Sequence, residues 1–161
     1  MSNKAKPCRS WREKLANSKG LPKVEKITDK MSKRWGTGTV VIPAPKEVDE
    51  IMRKVPEGKL ITINGIRAML AQKHSATIGW PITTGIFAWI AAHAAEEAAA
   101  EGERDITPYW RTLKSGGALN EKYPGGVEGQ AARLMAEGHI IEPGKGKNPP
   151  KVKDFEKNLV K

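Results

Sequence analysis

Cysteine is almost absent from this chain of 161 residues, in which Cys8 is the single example. One cysteine excludes an intramolecular disulfide and any metal site that is built from several thiolates. No apolar run approaches the ~18 residues that a membrane-spanning helix needs, and the N-terminus lacks the apolar core of a signal peptide. These absences favour a soluble protein in a reducing compartment. We therefore expect a cytoplasmic protein without a membrane partner.

Histidine is also scarce, with residues at positions 74, 93 and 139 only. No two of the three stand at a spacing typical of metal ligands with a third donor beside them. The sequence therefore predicts neither a metal site nor a cofactor.

Positive charge is abundant, and it lies at the two ends of the chain. The formal net charge is +10, of which residues 1–34 hold +8 and residues 143–161 hold +4, while the middle is nearly neutral. Basic segments beside a folded domain attract phosphates without reading a base sequence. This distribution predicts a basic, largely flexible arm over 1–34, a folded domain over 35–142 and a basic tail over 143–161. It also makes nucleic acid the first candidate partner.

The middle of the chain has the pattern of a mainly helical domain. We predict a strand at 37–42, a helix at 45–54, and a further helix that begins after Thr62 as its N-cap. The next helix is predicted from Thr83 or Thr84 to about residue 100, with a buried stripe that includes Ile86 and Trp89. Two helices separated by the break at 79–81 indicate a helix-turn-helix.

The segment that follows has the pattern of a small wing. Residues 106–113 and 118–123 flank a glycine-rich stretch at 114–117, which predicts a β-hairpin, and a last helix is predicted at 127–137. The expected fold class is therefore mainly α with a small β-hairpin wing, in the manner of a winged helix-turn-helix domain.

Four motifs in the chain occur in an informative order. They are the stretch Val-Pro-Glu-Gly-Lys-Leu-Ile-Thr at 55–62, Pro-Tyr-Trp-Arg at 108–111, Tyr-Pro-Gly-Gly at 123–126, and Glu137. Together they resemble the C-terminal DNA-binding domain of the O6-alkylguanine-DNA alkyltransferases, over roughly residues 38–140. That resemblance implies a winged helix-turn-helix domain of the alkyltransferase type.

Members of the resembled family flip an alkylated guanine out of the duplex and transfer the alkyl group to a cysteine. Here Tyr109 stands at the cysteine position and Trp110 at the histidine position. A tyrosine hydroxyl, with an ordinary pKa of ~10, is a poor nucleophile at neutral pH. The chain is therefore more similar to the cysteine-less alkyltransferase-like proteins, which bind alkylated guanine without repairing it and pass it to excision repair.

Other positions depart from the resembled pattern. Ile63 stands where the family has a base-rotating tyrosine, and no arginine matches the finger that enters the duplex. Thr83, Thr84 and Gly85 occupy that stretch instead. A glycine there permits a close backbone approach to DNA, and threonine hydroxyls suit phosphate contacts.

The resemblance implies two groups of site residues and one structural residue. A lesion pocket is expected from Tyr109, Trp110, Tyr123 and Gly125, in which the aromatic rings either stack on a flipped base or fill an empty pocket. The residues expected at DNA are Thr62, Thr83, Thr84, Gly85, Arg111 and Lys114. Glu137 is expected to have a structural role.

Three functions follow from these expectations. The first is non-catalytic DNA binding with recognition of O6-alkylated guanine by nucleotide flipping, linked to DNA repair. The alternatives are a methyltransferase that uses an unexpected nucleophile, and a general winged-helix DNA-binding or regulatory protein with a filled pocket. The expected partners are double-stranded DNA and excision-repair proteins, and the chain is expected to be a monomer.

Overall fold

The computed structural model describes residues 10–17 and 20–160, so Cys8 lies outside the described residues. Helices dominate this part of the chain, and none of those described is long and apolar enough to cross a membrane. Their bounds are α1 Trp11–Ala16, α2 Asp29–Trp35, α3 Pro45–Arg53, α4 Ile63–Lys73, α5 Pro81–Ala100 and α6 Gly126–Ala136. The mainly helical character matches the predicted fold class.

Three small sheets accompany the helices. The strands are β1 Lys23–Lys26, β2 Thr39–Ile42, β3 Ile61–Thr62, β4 Ile78–Gly79, β5 Thr112–Leu113, β6 Ile141–Glu142 and β7 Lys151–Val152. β2 pairs antiparallel with β1 and parallel with β4, β3 pairs parallel with β5, and β6 pairs antiparallel with β7.

The predicted hairpin between residues 106–113 and 118–123 is wrong for the described residues. β5 pairs with β3 instead, and Ala118 forms a bridge with Lys151. The backbone N–H of Leu119 likewise donates to the Pro150 carbonyl at 2.9 Å. The backbones of both segments therefore pair with residues that are distant in sequence. A local turn pattern does not predict such pairing.

The α4–β4–α5 region has the predicted order of two helices around a short break. Thr62 caps α4, since its hydroxyl accepts a hydrogen bond from the Gly65 N–H at 3.1 Å. α5 begins at Pro81, earlier than the predicted start at Thr83 or Thr84. The reason is that proline suits the first helical turn, where its missing N–H costs no hydrogen bond.

The main core lies where α3, α4 and α5 meet. Val48 and Met52 of α3, together with Ile66 and Leu70 of α4, are fully buried there. α5 contributes small residues, chiefly alanines, because α1, α3 and α4 all pack against it. The prediction that Ile86 lies on the buried stripe is wrong, since its side chain is 45% exposed.

α1 packs on α5 and α3, unlike the flexible arm that we expected over 1–34. The Trp11 ring stacks on His93 with centroids 4.4 Å apart and meets the edge of Trp89 at 4.8 Å. Glu97 of α5 accepts a hydrogen bond from the Trp11 N–H at 3.1 Å. These aromatic contacts hold α1 against α5. The net charge of residues 1–34 does not predict them.

The C-terminal segment is also folded onto the domain over its described residues. Val152 of β7 is buried in a second apolar cluster with Leu60, Leu113 and Leu119. The Leu60 N–H donates to the Asn158 carbonyl, and the Val160 N–H donates to the Leu60 carbonyl, both at 2.9 Å. Buried apolar side chains thus hold a segment whose lysine content alone predicts a solvated tail.

Candidate nucleic-acid interface

An open groove runs between the first half of α5 and the loop that follows β5. Its volume is about 470 Å³, which falls within the range of roughly 300–1,000 Å³ found for ligand sites. The residues that line it are Pro81, Ile82, Gly85, Ile86, Trp89, Lys114, Asn120 and Lys122. One helix face therefore forms one wall, and a loop with two lysines forms the other.

Hydrogen bonds connect the loop that forms one wall of the groove to α5 and to α6. The Trp89 indole N–H donates to the Lys122 carbonyl at 3.1 Å, and the His93 Nε2 lies 3.3 Å from the same oxygen. On the other side, the Asn120 N–H donates to Oε1 of the buried Gln130 in α6 at 2.7 Å. The groove is therefore shaped before any ligand arrives.

The groove combines positive charge with an apolar helix face. Lys114 and Lys122 supply the charge, and no carboxylate is among the described residues that line it. The side chains of Ile82 and Ile86 are 63% and 45% exposed on the opposite wall. This combination suits a polyanion that also presents an apolar surface, as nucleic acid does with its phosphates and bases.

Only some of the residues that we predicted at DNA line the groove. Gly85 and Lys114 line the groove, whereas Thr83 is half-buried and is not among its lining residues. Thr84 does not face the groove, because its side chain is fully buried and its hydroxyl donates to the Trp80 carbonyl at 2.7 Å. Thr62 is half-buried, and its hydroxyl is occupied in capping α4.

Arg111 lies inside the domain, although the sequence predicted it at a phosphate. Its Nε lies 2.9 Å and its Nη2 2.8 Å from the carboxylate oxygens of Glu137, and its Nη1 donates to the Val55 carbonyl at 2.7 Å. The Arg111 and Glu137 side chains are 13% and 8% exposed. The guanidinium is turned inward because the buried carboxylate requires a partner.

Glu137 joins three segments through one carboxylate. Besides Arg111, it accepts hydrogen bonds from the Trp110 indole N–H at 2.7 Å and from the Gly58 N–H at 3.2 Å. Burial alone would raise the pKa of Glu137, but the hydrogen bonds from Arg111, Trp110 and Gly58 outweigh it and lower the pKa. The carboxylate is thus charged and links α6, the turn at 109–111 and the loop at 55–58.

The aromatic residues predicted for a lesion pocket come together as a packed cluster. Tyr109 meets Trp110 and Tyr123 edge-on, with ring centroids 5.3 and 5.6 Å apart. Tyr109 and Tyr123 are only 2% and 3% exposed and belong to the main core. Gly125 is exposed at the start of α6 and is not part of this cluster. The two tyrosine rings are thus packed in the core, with Trp110 against them.

The Tyr109 hydroxyl is held in a protonated state. It donates to Oε1 of Glu96 in α5 at 2.7 Å. Burial raises the pKa of Tyr109, and the hydrogen bond to Glu96 and the charge of that carboxylate raise it further. A hydroxyl in this environment does not form the anion that attack on an alkyl group requires.

Sequence reasoning missed most of the groove. Trp89 was assigned to the core, and Ile82, Asn120 and Lys122 were not singled out. Ile82, Ile86 and Trp89 share one helix face by their spacing of four and three residues. That spacing was visible in the sequence, but it did not show that this face of α5 is left open.

Comparison with solved structures defines the class of fold. No protein-family model matches the chain, and no curated protein sequence matches it. Among solved structures, the described architecture is similar to that of the alkyltransferase-like proteins. Two crystal structures from S. pombe share it.

The first is Atl1 in complex with damaged DNA containing O6-carboxymethylguanine, at 18% sequence identity and a TM-score of 0.50. The second is the S. pombe ATL in complex with DNA, at 19% identity and a TM-score of 0.51. Each match covers 73% of this chain and 94% of the other. At this level of identity the likeness establishes the fold.

Proposed function

We propose that this chain is a non-catalytic DNA-binding protein that recognises O6-alkylated guanine by nucleotide flipping and is linked to DNA repair. The groove between α5 and the lysine-bearing loop is the observation that carries the proposal. The fold supports it, because both S. pombe structures that share this fold were solved with DNA, one of them with DNA containing O6-carboxymethylguanine.

The duplex lies against α5 in this proposal. α4 and α5 act as the helix-turn-helix, with α5 as the recognition helix, and the segment around Ala118 that bridges to Lys151 takes the place of the wing. Lys114 and Lys122 contact phosphates and position the helix without reading sequence. The chain works as a monomer and passes the lesion to excision-repair proteins.

The flipped base enters the groove rather than the aromatic cluster. Tyr109 and Tyr123 leave almost no accessible surface for a base to stack on. Trp89 is half-buried at the groove and is fixed by its bond to the Lys122 carbonyl. Stacking on an aromatic side chain is worth ~1–3 kcal/mol per base. The predicted lesion-pocket residues are then not among the described residues that line the groove.

A comparison of two DNA duplexes tests this function. The protein is titrated with a duplex that contains one O6-methylguanine and with the matching undamaged duplex. We expect tighter binding to the alkylated duplex, and Trp89→Ala should remove ~1–3 kcal/mol of that preference. Equal affinities in the unmutated protein would refute lesion recognition and leave a general DNA-binding protein. Absence of binding to both would refute the proposal as a whole.

Alkyl transfer is the alternative that chemistry disfavours. The nucleophile would have to be Tyr109, whose hydroxyl is buried and bonded to Glu96, or Cys8, which lies outside the described residues. Incubation with O6-methylguanine DNA should therefore leave the mass of the protein unchanged. A stoichiometric gain of about 14 Da, one added CH₂, on either residue would show a transferase.

A further inference from the structure

α2 is a short helix with one basic face and one face that packs on the domain. Lys30, Lys33 and Arg34 stand at helical spacings of three and four residues, so they share one face, and all three are exposed. Met31 and Trp35 lie on the opposite face and are half-buried. The packed face fixes the position of the helix, and the basic face is open to a partner.

The three basic side chains of α2 have no acidic partner among the described residues. None of the ion pairs formed within residues 10–17 and 20–160 includes them. Glu25 of the neighbouring strand β1 is paired with Lys23 at 3.0 Å. Asp29 lies in the first turn of α2, where the helix dipole stabilises a carboxylate. The basic face of α2 is therefore available to an anionic partner.

Trp35 connects this basic helix to the start of α5. The guanidinium carbons of Arg34 and Arg67 lie 4.9 and 5.5 Å from the centre of the Trp35 ring. The Arg67 Nε also donates to the Gly79 carbonyl at 2.9 Å, and the groove begins two residues later at Pro81. One aromatic ring and one arginine side chain thus join α2 to the end of the groove.

The segment that joins the two surfaces carries no negative charge. No aspartate or glutamate occurs from Gly58 to Ala95, a stretch that contains α4, β4 and most of α5. The charged side chains of this stretch are all lysine or arginine. Duplex DNA carries a phosphate about every 1.7 Å along its axis, so it is attracted along a surface on which positive charge continues. DNA in the groove can therefore extend toward α2 without meeting a carboxylate of this segment.

We propose that Lys30, Lys33 and Arg34 form a second phosphate-binding surface, which holds the duplex beyond the Pro81 end of the groove. This inference rests on the proposed DNA binding, and it adds the part of the protein that contacts the flanking backbone. The three residues precede the stretch of about 38–140 that resembles the alkyltransferases. Because phosphates carry no sequence information, this surface adds affinity for DNA in general and no preference for a lesion.

Salt-dependent binding tests this surface with two triple variants. The α2 variant combines Lys30→Ala, Lys33→Ala and Arg34→Ala. The control variant removes three other exposed lysines, which line neither the groove nor α2, through Lys46→Ala, Lys54→Ala and Lys157→Ala. Both variants and the unmutated protein are titrated at several salt concentrations with a duplex of about 20 base pairs, or two helical turns. The same duplex with one O6-methylguanine is titrated in parallel, and circular dichroism shows that each protein is folded.

The α2 variant should lose three phosphate contacts. Its slope of log affinity against log salt should therefore flatten by ~2.7, about 0.9 for each contact, and its affinity at about 0.1 M salt should fall at least about tenfold. The control variant should keep the slope of the unmutated protein. The ratio of affinities for alkylated and undamaged DNA should be the same in all three proteins, and each should bind a single duplex.

Several results would overturn this surface. If the α2 variant keeps the unmutated slope, or if the control variant loses as much as the α2 variant does, the surface is refuted and the proposed DNA binding stands. Two duplexes bound to one protein molecule would refute a single duplex held by both surfaces. A lesion preference that changes in the α2 variant would contradict a contact to the backbone alone. If the unmutated protein binds no DNA, both proposals fail together.

Discussion

Substitution Glu137→Gln is expected to weaken the fold strongly, because it removes one charge from a buried ion pair. The carboxylate accepts hydrogen bonds from Arg111, Trp110 and Gly58, and both side chains of the ion pair are largely buried. Glutamine keeps the size of the side chain but leaves the Arg111 guanidinium without its counter-charge. Breaking one partner of a buried pair costs ~3–5 kcal/mol. For a chain of this length, that corresponds to a fall of roughly 6–20 °C in the unfolding temperature.

The pH dependence of this loss has a definite sign. Folding lowers the pKa of Glu137, so the unfolded state binds the proton more readily than the folded state does. The stabilisation from the carboxylate is complete above the ordinary glutamate pKa of ~4.3 and disappears as the pH falls through the lowered folded value. The difference in stability between the unmutated protein and Glu137→Gln should therefore be full at pH 7 and shrink in that acidic range.

Urea unfolding at a series of pH values measures this difference. The double variant Arg111→Leu with Glu137→Leu supplies the control, because replacing both charges with apolar groups is often nearly neutral. A cost below ~1 kcal/mol for Glu137→Gln at pH 7, typical of an exposed pair, would refute the reasoning. So would a cost that stays constant down to pH 3, since a constant cost does not depend on the charge.

Two further variants test the groove itself. The double variant Lys114→Ala with Lys122→Ala should flatten the dependence of log affinity on log salt by ~1.8, about 0.9 for each lost phosphate contact. An unchanged slope would contradict phosphate contacts by these two lysines. Gly85→Ala should raise stability by ~0.5–1 kcal/mol, because an added Cβ meets no atom within 4 Å. In the proposed complex the helix backbone approaches the duplex closely, so Gly85→Ala should also weaken DNA binding. The control Gly129→Ala in α6 should leave DNA binding unchanged. Melting and binding assays on both variants measure these effects.

The sequence was a good guide to the helices and a poor one to their partners. Thr62 was predicted as the N-cap of α4 and has that role, because capping depends on residues three positions apart. The pairing of β5 with β3 joins segments about fifty residues apart. No local pattern contains that information. The glycine-rich turn at 114–117 therefore predicted a hairpin that the described chain does not form.

Site residues, too, were predicted correctly where neighbouring residues decide their position and wrongly where residues distant in sequence decide it. Lys114 and Gly85 were predicted at DNA, and both line the groove; each stands beside a recognisable turn or helix start. Arg111 was misplaced because its burial depends on Glu137, which lies 26 positions away. Ile86 was misplaced for a related reason. α5 is packed by three helices, so its alanines became the core, and its larger side chains at 82, 86 and 89 border the groove.

Charged hydrogen bonds hold the aromatic cluster of Tyr109 and Trp110 in place. Tyr109 donates to Glu96, and Arg133 of α6 contacts that same oxygen at 3.0 Å, so the buried tyrosine ties the turn at 109–111 to two helices. Trp110 is held in turn by Glu137 and by the Arg133 guanidinium, which lies 4.3 Å above its ring. Side chains held from several directions do not rearrange to admit a base without breaking charged hydrogen bonds. The proposed base site is therefore outside the cluster, at the groove that Trp89 and the lysine-bearing loop line.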